Sequence, residues 1–142
     1  WEWIPELLRK DGLDLPHTPA IDMREYIYDM PLEMAAADVV ISRSGAATCN
    51  EIAASGTPSI LIPSPNVTNN HQERNARVLS DKDAAVTILE KDCTAEKVMA
   101  EIQSLLADKE RRENMSKTLR SMVRLDSTQR ICDIVEELAG KR

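Results

Sequence analysis

The chain has 142 residues, enough for one domain with a real core, and a formal net charge of -6 that argues against a dedicated nucleic-acid binder. It holds no run of about 18 apolar residues that would span a bilayer, no signal-peptide pattern and no polybasic cluster. Cys49, Cys93 and Cys132 are odd in number and far apart, without metal-ligand spacing, so they read as thiols of a reducing compartment and no metal site is expected.

The chain opens Trp1-Glu2-Trp3 without an initiator methionine, and we expect it to be part of a longer protein. Residues 1–12 read as the end of a helix, with Trp3, Leu7 and Leu8 on one face and Gly12 as its cap. Residues 13–20 carry Pro16 and Pro19 and read as a connection in which His17 is structural or exposed. Glu25–Asp29 is expected as a short strand, and Pro31 opens a short helix through Ala37.

Continuous apolar runs follow at 38–42 (DVVIS), 59–62 (SILI) and 85–89 (AVTIL). Buried parallel strands look like this, because helices cover both faces. Helical patterns at 46–55, 70–80 and 94–107 alternate with them. The order predicts an α/β fold with a Rossmann-like parallel sheet and flanking helices. The tail is helical, with three apolar stripes: Val98, Ile102, Leu105 and Leu106; then Met115, Leu119, Met122 and Val123; then Ile131, Ile134, Val135 and Leu138, closed by Gly140.

In such folds ligands bind beyond the carboxyl ends of the strands, where helix N-termini point. One such end is Arg43-Ser44-Gly45-Ala46-Ala47-Thr48, whose small residues let a ligand approach free N–H groups. Ser44, Thr48 and Glu51 are spaced to line one face, with Cys49, Ile52, Ala53 and Gly56 turned toward the sheet. A carboxylate at Glu51 can accept both hydroxyls of a ribose, or it can be a solvated helix residue. The other end runs from Pro63 to Gln72. Its prolines stop the strand, Asn70 and Glu73 fit a capping box, and His71 and Gln72 fall in the first helical turn. Amides and imidazole suit sugar hydroxyls, though loop and cap polarity explains them equally. No GxGxxG, Walker loop, GxSxG or HExxH is present, and no general base stands out.

At these residues the chain resembles a known family. EYIYDMPLEMAAADVVISRSGAATCNEIAASGTPSILIPSPNVTNNHQERNA (25–76) is similar to the carboxy-terminal donor domain of the MurG family. These two-domain GT-B enzymes pass GlcNAc from UDP-GlcNAc to lipid I, giving lipid II for peptidoglycan. The likeness covers nearly the whole chain and is generic only in the tail helices. It implies that residues 1–142 form the partial UDP-GlcNAc-binding domain of an inverting N-acetylglucosaminyltransferase. By the same resemblance Glu51 would bind the ribose, Ala46, Ala47 and Thr48 would lie against the nucleotide and its phosphates, and Ser44 would adjoin them. Ile27 would meet the uracil through its backbone, with Met30 nearby. Gln72 or His71 would contact the sugar hydroxyls, with Gln72 preferred, and Asn75 is a further substrate-binding candidate.

The resemblance further implies that the acceptor loop, the catalytic base and the membrane-docking patch lie in an amino-terminal domain outside this sequence, as do the opening strands and the Gly-Ser turn for the diphosphate. No catalytic residue, cofactor or nucleic-acid partner is expected here, and the chain alone is expected to be inactive. The implied setting is the cytoplasmic face of the bacterial inner membrane, reached through the absent domain. Two rival expectations are a non-catalytic nucleotide-sugar-binding subunit that needs a separate membrane partner, and a related sugar epimerase, which would need acid/base residues that this segment lacks.

Overall fold

The structure, a computed structural model, describes residues 3–12 and 17–140. The chain divides into two compact units, 1–30 and 31–142.

The first unit carries helix α1 (Trp3–Lys10). Gly12 takes φ 86°, a left-handed conformation that closes the helix, and its amide donates to the Arg9 carbonyl at 3.1 Å. The expected stripe is largely open to solvent at Trp3 and Leu7. Of the expected 13–20 connection, residues 13–16 lie outside the described ones. The strand expected at Glu25–Asp29 is not formed. Strand geometry persists where a neighbouring ladder takes up its N–H and C=O groups, and here Tyr26 and Tyr28 instead pack edge to face on each other, ring centres 4.8 Å apart.

The second unit is an α/β layer. A short helix, α2 (Met30–Ala36), leads into it. Strands β1 (Val40–Ser42), β2 (Ser59–Leu61) and β3 (Val86–Thr87) form a parallel sheet in the order β1-β2-β3. Val40 pairs with Ser59, Ser42 with Leu61, and Leu61 with Thr87. Helix α3 (Ala46–Ser55) crosses from β1 to β2, and α4 (His71–Ser80) from β2 to β3. Parallel neighbours require such crossovers. Helices α5 (Ala95–Ala107), α6 (Lys109–Met122) and α7 (Ser127–Leu138) complete the chain. Thr94 and Asp108 cap α5 and α6, each accepting from the amide three residues on.

The sheet separates two cores, as the two-residue period of its strands requires. Leu61 and Val40 join Met34, Cys49, Ile52, Ala53, Ala76, Leu79 and Leu119 on one face. Ile60 joins Ile88, Leu105 and Met115 on the other. Two of the three tail stripes pack, through Leu105, Met115 and Leu119, although Leu106 of the first is exposed. The third, on α7, lies on the surface, with Ile131, Ile134, Val135 and Leu138 all more than half exposed. Among the described residues no helix is long and apolar enough to cross a membrane.

Candidate functional site

The carboxyl ends of β1 and β2 bring the two polar segments together. After Ser42 the chain turns through Arg43-Ser44-Gly45 into α3. Gly45 is the N-cap residue and offers no side chain to the helix. The first ladder bond runs from the Cys49 amide to the Gly45 carbonyl at 2.9 Å. The amides of Ala46, Ala47 and Thr48 therefore have no partner within the helix, and Ala46 and Ala47 are exposed. Such an end attracts an anion through its N–H groups and its dipole.

The inward side of α3 is buried through Cys49, Ile52 and Ala53, and Glu51 stands on the opposite, exposed side. Its carboxylate makes no hydrogen bond or ion pair among the described residues, so both oxygens are available as acceptors. Burial pushes the Cys49 thiol above its ordinary pKa, in keeping with a packing role.

Ser44 differs from the expectation that it faces a ligand. It is fully buried, and its hydroxyl donates to the Gln72 carbonyl at 2.8 Å. The expected capping box at Asn70 is also not formed. Asn69 and Asn70 both adopt left-handed backbone, φ 53° and 51°, which asparagine tolerates better than most residues. With that backbone the Asn70 side chain does not reach an amide of α4, and its Nδ2 donates to the Glu73 carboxylate at 2.6 Å. Asn70 and then Arg77 hold the Glu73 carboxyl below its ordinary pKa.

Gln72 is half-buried, and its Oε1 accepts from the Ser64 amide at 2.9 Å. That bond leaves the Nε2 protons uncommitted among the described residues. His71 is exposed with Nδ1 2.9 Å from the Thr68 carbonyl; a carbonyl only accepts, so Nδ1 donates there and Nε2 is left for a further contact. Asn75 donates from Nδ2 to the Ser44 carbonyl at 3.0 Å, which leaves its Oδ1. Ile27, half-buried, and Met30 belong to the first unit.

One contributor was not anticipated from the sequence. Arg43 makes a two-pronged ion pair with Glu90, one arm at 3.1 Å, and also donates to the Ile62 carbonyl at 3.1 Å. It thereby ties the end of β1 to those of β2 and β3. The pair holds the Glu90 carboxyl below its ordinary range and raises Arg43 further. The partners are 47 residues apart, and no local pattern announces them. A cleft of about 480 Å³ opens beside these strand ends between Pro63, Asn70, Glu73, Leu89 and Lys91.

The arrangement offers uncommitted helix amides for an anion, one unpaired carboxylate for vicinal hydroxyls, and amide and imidazole groups for a further polar ligand. The model of the glycosyltransferase family 28 C-terminal domain matches residues 6–135. A UDP-N-acetylglucosamine–N-acetylmuramyl-(pentapeptide) pyrophosphoryl-undecaprenol N-acetylglucosamine transferase of Acetivibrio thermocellus is 46% identical over 121 residues, 85% of this chain and 33% of that protein. The transferase of the same name from Desulforamulus reducens is 40% identical over 142 residues, 100% of this chain and 38% of its own. The crystal structure of Acinetobacter baumannii MurG superposes with a TM-score of 0.77 at 25% identity, covering 94% of this chain and 39% of that one. The chain thus spans 33% to 38% of the length of these two curated relatives.

Proposed function

The chain belongs to the glycosyltransferase family 28 C-terminal domains, and on that premise we propose that it is the UDP-GlcNAc-binding part of an N-acetylglucosaminyltransferase acting on an undecaprenol-linked N-acetylmuramyl-pentapeptide. The observation that carries the reading is the pairing of an uncapped α3 N-terminus with the unpaired Glu51 on the exposed side of the same helix. The spacing suits a nucleoside diphosphate, with phosphate at the amides and ribose one to two turns along. Ala46 and Ala47 carry no bulk that would hold phosphates away. Gln72, His71 and Asn75 serve the sugar.

In the reaction the acceptor hydroxyl attacks the anomeric carbon as the bond from that carbon to the UDP oxygen breaks. The hydroxyl proton passes to a base outside this chain. Negative charge gathers on the departing diphosphate, where the α3 amides and dipole stabilise it without having to reorganise. The same reading puts the acceptor and the inner-membrane surface against the remainder of the longer protein, and it expects no turnover from these 142 residues alone.

The test is calorimetric titration of the full-length protein carrying this sequence with UDP-GlcNAc, UDP-glucose and ADP-glucose. Preference for UDP-GlcNAc over both is expected. Equal binding of the three, or of none, overturns the donor assignment.

A further inference from the structure

Ser44 joins the two halves of the candidate site without facing a ligand. It lies directly before the Gly45 turn and has no accessible surface. Its hydroxyl donates to the Gln72 carbonyl across 28 residues, and its carbonyl accepts from Asn75 Nδ2 across 31. Two bonds from one residue to successive turns of α4 fix that helix in rotation as well as distance, where one bond alone would leave a hinge. Gln72 is gripped a second time, through Oε1 by the Ser64 amide. A side chain held at both its backbone and its carbonyl oxygen has its remaining NH2 aimed by the fold.

We infer that Ser44 is a positioning residue, whose buried hydroxyl holds the first turn of α4 in register with the α3 turn and so sets the aim of Gln72. This rests on the donor-binding reading, in which α3 serves the nucleotide and α4 the sugar. Within α4 the Gln72 carbonyl remains an acceptor for the amide four residues on. Losing the Ser44 hydroxyl therefore loosens a geometry without orphaning a buried carbonyl.

The test is Ser44→Ala in the full-length protein, titrated with UDP-GlcNAc and with UDP, alongside hydrogen exchange at the Ser64 amide. The dissociation constant for UDP-GlcNAc is expected to rise about tenfold, as for one hydrogen bond. That for UDP should change less than about twofold, because α3 keeps its own ladder. The Ser64 amide should exchange faster, which a serine that merely fills space would not cause. If Ser44→Ala does not fold, Ser44→Cys, similar in size and a weak donor, must show the same selective loss. Equal losses for both ligands, or no loss with unchanged Ser64 exchange, overturn the inference while leaving the donor reading intact. A wild-type protein that binds neither ligand defeats the donor reading, and the inference with it.

Discussion

Glu51→Ala isolates the ribose assignment, because the structure gives this carboxylate nothing else to do. It is exposed and carries no hydrogen bond or ion pair among the described residues. Alanine is the better helix former, so folding stability should change by less than about 0.5 kcal/mol. A hydrogen bond to a charged acceptor contributes about 1.5–3 kcal/mol, and two hydroxyls are in reach of one carboxylate. Water competes at an exposed site, so the combined loss should fall near 2–3 kcal/mol, about 30- to 150-fold in dissociation constant. Calorimetry on the full-length protein should show this loss for UDP-GlcNAc and for UDP alike, since both carry the ribose. Against 2′-deoxyuridine diphosphate the effect of the substitution should be roughly halved, because one of the two hydroxyls is already gone. Glu51→Gln keeps an acceptor oxygen and should be milder. An unchanged affinity in a folded variant, or a loss with UDP-GlcNAc that is absent with UDP, refutes the assignment.

Gln72→Ala should weaken UDP-GlcNAc about tenfold, one hydrogen bond's worth, and leave UDP within twofold; equal losses would move Gln72 away from the sugar. Gly56 closes α3 at φ 71°, and a Cβ there would meet the Arg120 side chain. Gly56→Ala should cost about 1–2 kcal/mol in urea unfolding, and adding Arg120→Ala should not restore it if the left-handed backbone carries the cost. Glu73 and Glu90 titrate below their ordinary values in the folded state, so the unfolded chain binds their protons first as pH falls. Their stabilisation is present above about pH 4.3, the unfolded value, and is lost as pH drops through the lower folded values. Glu90→Gln should flatten the acid limb of a pH–stability curve, and because the pair is exposed, the difference should shrink in high salt.

Legibility in the sequence followed the range of the interaction. Helix α3 spans Ala46–Ser55, the bounds expected for it, because Gly45 and Gly56 punctuate it in the sequence as they do in space. The three sheet strands were found in place but are shorter than their apolar runs. Such a run reports burial, which extends past the paired residues: Val39 and Ile62 pack in the second core yet lie outside β1 and β2. Residues 25–29 failed for the converse reason, since strand-forming side chains cannot create a neighbouring strand. Helical spacing puts Ser44 on the ligand side, but Ser44 precedes α3, so the 3.6-residue period does not govern where its side chain points. Arg43–Glu90 depends on two strand ends meeting, which only the folded sheet provides.

The amide-rich loop separates by the same physics. Asn69 and Asn70 occupy backbone that most side chains resist, and their abundance there answers to φ. Gln72 and Asn75 have ordinary helical backbone, so that need does not account for them, and each is held by one end of its amide with the other end uncommitted. A half-held amide keeps its direction and still has a donor or an acceptor left to use, whereas a fully bonded one has nothing to offer and an unheld one must be ordered when a ligand arrives, at about 0.5–1.5 kcal/mol for a rotamer-rich side chain. Glu51 has no such support from a neighbour. Its helix, anchored through Cys49, Ile52 and Ala53, fixes the backbone beneath it, while the small residues along its exposed side leave room for a ligand to lie flat. On the proposed donor-binding reading the small-residue helix and its single acid act together, with the alanines admitting the ligand and Glu51 offered to the ribose.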